Sequence, residues 1–234
     1  QNRPLWWRLS LRLPRVSRGC LQEFERKKKG SQNKVEIKWA ETPNFTKGRN
    51  GRKIIAIVNH ITAGNYPGCL NWTQNPQAKA SAHYLVTKAG EIYQLVKDED
   101  TAWHAGVVKK PNWKLYDGTN PNRYTIGIEH EGFDGSLTEA QYQATLWLHK
   151  HLIQKHGIPV DTDHIIGHFR INSVDRANCP GPKFPWDRLM KDLEEDTGVE
   201  KTEVIYQGKK YDAVIINGKT YVELREYSQD IGLK

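Results

Sequence analysis

The chain has 234 residues, 37% of them apolar, with eight tryptophans and a formal charge of +8 from 35 basic and 27 acidic side chains. Such a length and composition fit one ordinary globular domain with appendages, or two small domains, and no run approaches the ~18 apolar residues of a membrane-spanning helix. Nucleic-acid binding is not indicated either: residues 1–30 hold nine of the bases and two of the acids, which leaves residues 31–234 at +1, too nearly neutral for a polyanion-binding body.

Residues 1–35 read as a basic, irregular extension. Its apolar stretch "PLWWRLSLRLPRV" is cut by Arg8, Arg12 and Arg15, against the uninterrupted core that a signal peptide needs. "KIIAIVNH" (53–60) is a short β-branched run of the kind that forms a buried strand, and it ends on His60 before the turn-rich "TAGNYPG". "SAHYLVTKAGEIYQLV" (81–96) predicts two strands around Lys88-Ala89-Gly90. "YTIGIEHEG" (124–132) alternates as a strand, with Ile126 and Ile128 on one face and Gly127 and Glu129 on the other.

A helix is predicted over 138–156. Thr138 and Gln141 suit a capping box, Tyr142, Leu146, His149 and Ile153 recur at helical spacing, and Gly157-Ile158-Pro159 ends the element. "DHIIGH" (163–168) is another short strand ending in histidine, and "DRLMKDLEED" (187–196) a short amphipathic helix. The order predicts an α/β (α+β) fold, a mixed central sheet with helices packed on it, over residues 36–196. Residues 197–234 change character and carry two strand–turn–strand signals, with Asn217-Gly218 a strong tight-hairpin pair. This small β-rich module is too short to hold a sizeable core alone.

Three cysteines, Cys20, Cys69 and Cys179, and no C-x-x-C argue against a disulfide framework, although a Cys20–Cys69 pair stays open. Cys179 stands in "RANCPGPKFPW", where three prolines preclude a helix or an inner strand and make a stiff loop. His60 and His168 end predicted strands, and residues at one edge of a sheet converge. Two imidazoles and a thiolate are a donor set that suits Zn2+, and three protein ligands leave a fourth position open. From spacing alone, hydrogen-bonded structural histidines and an inert buried thiol are the favoured reading of these residues.

"VNHITAG", "SAHYLVTKAGEIYQLV", "AWHAG", "TIGIEHEG", "IGHFRI" and "NCPGPKFPW" follow in this order over about residues 50–190. Together they resemble the zinc-dependent N-acetylmuramoyl-L-alanine amidases of bacterial walls and phage lysins, which share a fold with peptidoglycan recognition proteins. The resemblance implies a hydrolase that cuts the amide between N-acetylmuramic acid and the L-alanine of the stem peptide, with peptidoglycan as partner. It also implies work at the cell wall, after secretion or after release as a prophage lysin.

It places the metal ligands on His60, His168 and Cys179, the acid–base group on Glu129, and substrate contacts on His104 and Trp103. Many relatives carry a lysine two residues before the third ligand. This chain has Ala177 there, with Arg176 beside it as the candidate cation, and Ala82 where some phage members have tyrosine. Trp72 and Trp113 are candidates for sugar stacking or for the core.

The alternative is a non-catalytic muropeptide-binding module of the same fold, which the joint presence of Cys179 and Glu129 disfavours. A zinc peptidase of another class lacks its H-E-x-x-H. The tail resembles the small β-hairpin-plus-helix module found beside copper amine oxidase-type domains, with contact to wall material or to a second subunit as its expected role.

Overall fold

The computed structural model describes residues 35–195, 199–206, 209–216 and 219–222. The extension 1–34, the connecting pair Asn217-Gly218 and the helix expected near the C-terminus lie outside the described residues, as does Cys20.

Six strands form the central sheet: β1 (Ile37–Trp39), β5 (Ile92–Gln94), β4 (Tyr84–Val86), β7 (Thr125–His130), β3 (Ala56–Ile61) and β8 (Ile165–Gly167), in that spatial order. Pairing is parallel except between β4 and β5, the predicted hairpin. Its turn closes by the Gly90 N–H donating to the Thr87 carbonyl. β2 (Phe45–Thr46) and β6 (Thr101–Ala102) form a separate antiparallel pair.

Parallel strands covered on both faces should be apolar throughout. β3 is buried from Ala56 to His60, apolar through Val58 and polar only at Asn59 and His60, toward its carboxyl end. β7 carries Ile126 and Ile128 on one face, both fully buried, and Thr125, Gly127 and Glu129 on the other, as its alternation predicts.

Three helices complete the main unit: α1 (Gly68–Gln74), α2 (Glu139–His156) and α3 (Trp186–Glu195). At the α2 N-terminus the Gln141 N–H donates to Thr138 Oγ1 at 3.1 Å. The reciprocal half of the capping box does not form. The Gln141 side chain instead donates to the carbonyls of Val86 and Glu131 (3.1 and 3.0 Å), two strand-end acceptors that need a buried donor.

Tyr142, Leu146 and His149 are buried along the predicted stripe, and Ile153 is packed beside it. Leu148 and Leu152 are also fully buried, so α2 is covered on two sides rather than one. The α3 side is closed by Leu189 and Leu193, by the Tyr142 hydroxyl donating to Asp192 at 2.6 Å, and by a bidentate Arg188–Glu139 pair.

Trp113 is core. It stacks on Tyr124 with centroids 5.6 Å apart, and its indole N–H donates to the Asp163 carbonyl. Cys69 is a buried free thiol. In the C-terminal module β9 (Val199–Tyr206), β10 (Lys209–Ile216) and β11 (Lys219–Val222) form an antiparallel sheet of their own. Ile216 faces Lys219 across the predicted hairpin.

Candidate metal centre

The carboxyl ends of parallel strands are where an open α/β sheet presents side chains to a crevice. The register brings three chemistry-bearing residues to that edge. His60 on β3 lies opposite Glu129 on β7, and Asn59 opposite Gly167, so that His168, one residue beyond β8, emerges next to His60.

Cys179 arrives from the proline-rich loop. Its carbonyl accepts from the Phe169 N–H at 3.2 Å, and its own N–H donates to the Arg176 carbonyl at 2.9 Å. Gly181, two residues on, has φ +120, and a Cβ there would lie 2.3 Å from the Asp134 backbone. The loop is therefore seated against residues 134–135, where only glycine fits.

The ligating atoms of His60, His168 and Cys179 all lie within 4.8 Å of one another. His60 Nδ1 is 3.0 Å from His168 Nδ1 and 4.0 Å from Cys179 Sγ. The Ala105 carbonyl is only an acceptor, so His168 Nε2, 3.0 Å away, carries the proton and donates. That leaves His168 Nδ1 as a bare lone pair turned toward the other two donors, which is how a second partner fixes a metal-binding imidazole. These three residues could hold a metal ion.

They line a cavity of ≈ 380 Å³ together with Glu129, His104, Trp103, Trp72 and Arg176. Glu129 is half-buried as a residue, but its Oε2 is sealed from solvent and has no hydrogen-bond partner. Burial pushes its carboxyl up to about 7, and the nearby positive charge of Arg176 opposes that rise. Burial likewise pushes the Cys179 thiol up to about 12, with the Glu129 charge adding to it. The imidazoles of His60, His104 and His168 all lie below the ordinary histidine value, burial being the largest cause in each.

Among the other residues singled out from sequence, Arg176 is exposed on the cavity wall. Trp103 is half-buried with its indole N–H donating to Thr46 Oγ1 at 2.9 Å, and it borders this cavity and the two adjoining clefts. Trp72 is 57% exposed on the cavity rim. His104 is buried, with its Nδ1 3.1 Å from His60 Nε2. His83 is a buried histidine that accepts the Gly127 N–H at 3.0 Å.

Sequence reasoning missed Asn122, whose Oδ1 accepts from both the His104 and Ala105 N–H groups (3.0 and 2.7 Å), and Thr125, 3.0 Å from His104 Nε2. Neither belongs to a chemical motif. The one available sign was Gly127, a glycine inside a strand, which marks a close approach.

A family model described as N-acetylmuramoyl-L-alanine amidase matches residues 50–182. The N-acetylmuramoyl-L-alanine amidase A of Achromobacter lyticus is 32% identical over 167 residues, 63% of this chain and 86% of that protein. The 1,6-anhydro-N-acetylmuramyl-L-alanine amidase AmpD of Salmonella typhimurium is 40% identical over 113 residues, and the match spans 47% of this chain and 56% of the relative. A crystal structure of a selenomethionine AmpD derivative superposes with a TM-score of 0.54 at 28% identity, covering 68% of this chain and 95% of that one.

Proposed function

Since the chain belongs to the N-acetylmuramoyl-L-alanine amidase family and is a peptidoglycan amidase, we propose that His60, His168 and Cys179 hold a zinc ion and that Glu129 moves the protons of amide hydrolysis. The observation that carries this reading is the convergence of two imidazole nitrogens and a thiol beside a buried, unpartnered carboxylate oxygen.

Tetrahedral zinc with Zn–N about 2.0–2.1 Å and Zn–S about 2.3 Å sets its donors roughly 3.3–3.6 Å apart. The separations of 3.0 and 4.0 Å bracket that range. When bound, zinc supplies Lewis acidity, acidifying water and polarising the carbonyl of the scissile amide.

The chain's own residues do the rest. Glu129, a carboxylate lining the cavity with one sealed and unpartnered oxygen, is placed to accept a proton from the attacking water and to return it to the departing L-alanine nitrogen. Arg176 lies on the cavity wall, where a cation offsets charge growing on the carbonyl oxygen, the role left open by Ala177. Trp103 borders the groove as a flat apolar wall for substrate. The substrate sets the place of work, the cell wall, reached by secretion or by release as a phage lysin.

The test is digestion of purified wall and of soluble muropeptide, scored for new alanine amino termini. The native protein releases them. Glu129→Gln retains zinc and loses about 10²–10⁴ in kcat. A Glu129→Gln protein of native activity removes the carboxylate from the mechanism.

A further inference from the structure

Resting on the metal-site reading above, we propose that His104 is a positioning residue that acts through His60: its ring, with Thr125 behind it, fixes which nitrogen of His60 faces the metal. It is a role separate from the direct substrate contact that the sequence resemblance implies for His104, which also lines the cavity.

The contacts form one chain. His60 Nε2 lies 3.1 Å from His104 Nδ1, His104 Nε2 lies 3.0 Å from Thr125 Oγ1, and the Thr125 hydroxyl reaches the Pro121 carbonyl at 2.8 Å. Every link has a direction, because a neutral imidazole donates from one nitrogen and accepts at the other. When His60 Nδ1 is a metal ligand, its proton sits on Nε2 and needs an acceptor, which is His104 Nδ1. The His104 proton then sits on Nε2 and is accepted by Thr125, whose own proton goes to Pro121. With His60 Nδ1 on the metal, no other assignment pairs each group.

In the reverse assignment the Thr125 hydroxyl gives up Pro121 and donates to His104 Nε2, His104 Nδ1 donates to His60 Nε2, and the His60 proton sits on Nδ1, aimed at His168 Nδ1, which closes the site to a cation. The direction of the His60–His104 and His104–Thr125 hydrogen bonds thus selects between a ligand and a donor.

Two further observations show that the His104 ring is held for this purpose. A Cβ on Gly127 would come within 2.5 Å of His104 Cγ, so the side chain packs against a strand that leaves room for it only by having glycine there. The backbone around it is fixed by Asn122, which accepts the His104 and Ala105 N–H groups. The Ala105 carbonyl in turn orients His168. One short segment therefore aims both imidazoles.

The test measures zinc affinity by chelator competition, alongside the ring tautomers of the zinc-loaded native chain from ¹⁵N–¹H correlations. His104→Phe, which keeps the ring and removes the acceptor, binds zinc about 10–100-fold more weakly, whereas His104→Asn, which keeps an acceptor toward His60, stays within about threefold of native. Thr125→Val weakens binding in the same direction, and the loaded native chain carries its His60 and His104 protons on Nε2. The inference is overturned by native zinc affinity in a folded His104→Phe protein, by equal losses in the Phe and Asn variants, or by a proton on His104 Nδ1 in the loaded native chain. That tautomer measurement decides the matter even where a variant does not fold. Failure of the native chain to take up zinc would instead sink the metal-site reading itself.

Discussion

Cys179 shows how one residue's chemistry is set by its surroundings. Burial and the Glu129 charge hold its thiol far above the ordinary cysteine value, so metal-free it is an inert thiol, and binding a cation must displace its proton. Cys179→Ser replaces a strong charged donor by a weak neutral one, and zinc content measured by elemental analysis should fall from about one per chain to well below that, with most activity lost.

Arg176 makes a separate prediction. Arg176→Ala should keep its zinc and lose about 10²-fold in turnover, the amount typical of one oxyanion-stabilising group. Unchanged turnover would remove it from the mechanism.

At this scale the convergence of His60, His168 and Cys179 was legible because the two histidines end recognisable strands and the cysteine sits in a proline-stiffened loop, all within linked motifs. Thr125 and Asn122 were not. A side chain whose role is to accept a hydrogen bond from a neighbour in space leaves no spacing in sequence, and the direction of Arg176 depends on a loop that no periodicity describes.

Among the elements, α2, β3, β7 and the β4–β5 hairpin were predictable since each is long or patterned enough to show a period. β1, β2, β6 and α1 were missed for the converse reason: β1, β2 and β6 are two or three residues long and, unlike β4, β5 and β8, sit in no longer apolar run, and α1 spans only Gly68–Gln74 after a turn-rich loop. The capping box was half right because tertiary acceptors outbid the local one for the Gln141 side chain.

The stiffness of the Cys179 loop was inferred from its prolines. The structure adds that Gly181, packed on Asp134, seats it. Gly181→Ala meets both a positive φ and backbone contact, so it should cost at least ~2 kcal/mol and lower Tm by ~5 °C. Calorimetry checks this, and an unshifted Tm would show that the loop yields.

For the molecule as a whole, one contribution to stability in acid comes from Asp98, a buried carboxylate outside the cavity lining. Asp98 accepts from the Tyr84 hydroxyl, Lys155 and His156 at 2.7–2.8 Å, and so ties the segment after β5 to the end of α2. Burial alone would raise its pKa, but these hydrogen bonds prevail and lower it to about 2. A folded value below the unfolded one means that the stabilisation is present above about pH 4 and is lost as pH falls toward 2, about 2 kcal/mol in all. Urea unfolding at a series of pH values should show that loss in the native chain and a flatter acid limb in Asp98→Asn. Equal limbs would place the acid sensitivity elsewhere.

Fold class was readable at this scale because strand and helix signals alternate along residues 53–196. The near-neutral body was readable from the charge count alone. Sheet order was not, because nothing local tells β4 to pair with both β5 and β7.

The central claim is that two imidazole nitrogens and one sulfur grip a single ion. X-ray absorption at the zinc edge of the purified chain tests it most directly. The account predicts two nitrogen scatterers at about 2.0–2.1 Å and one sulfur at about 2.3 Å, with the sulfur shell absent in Cys179→Ser. A bound zinc with no sulfur neighbour, or a sulfur shell that survives that substitution, would contradict it.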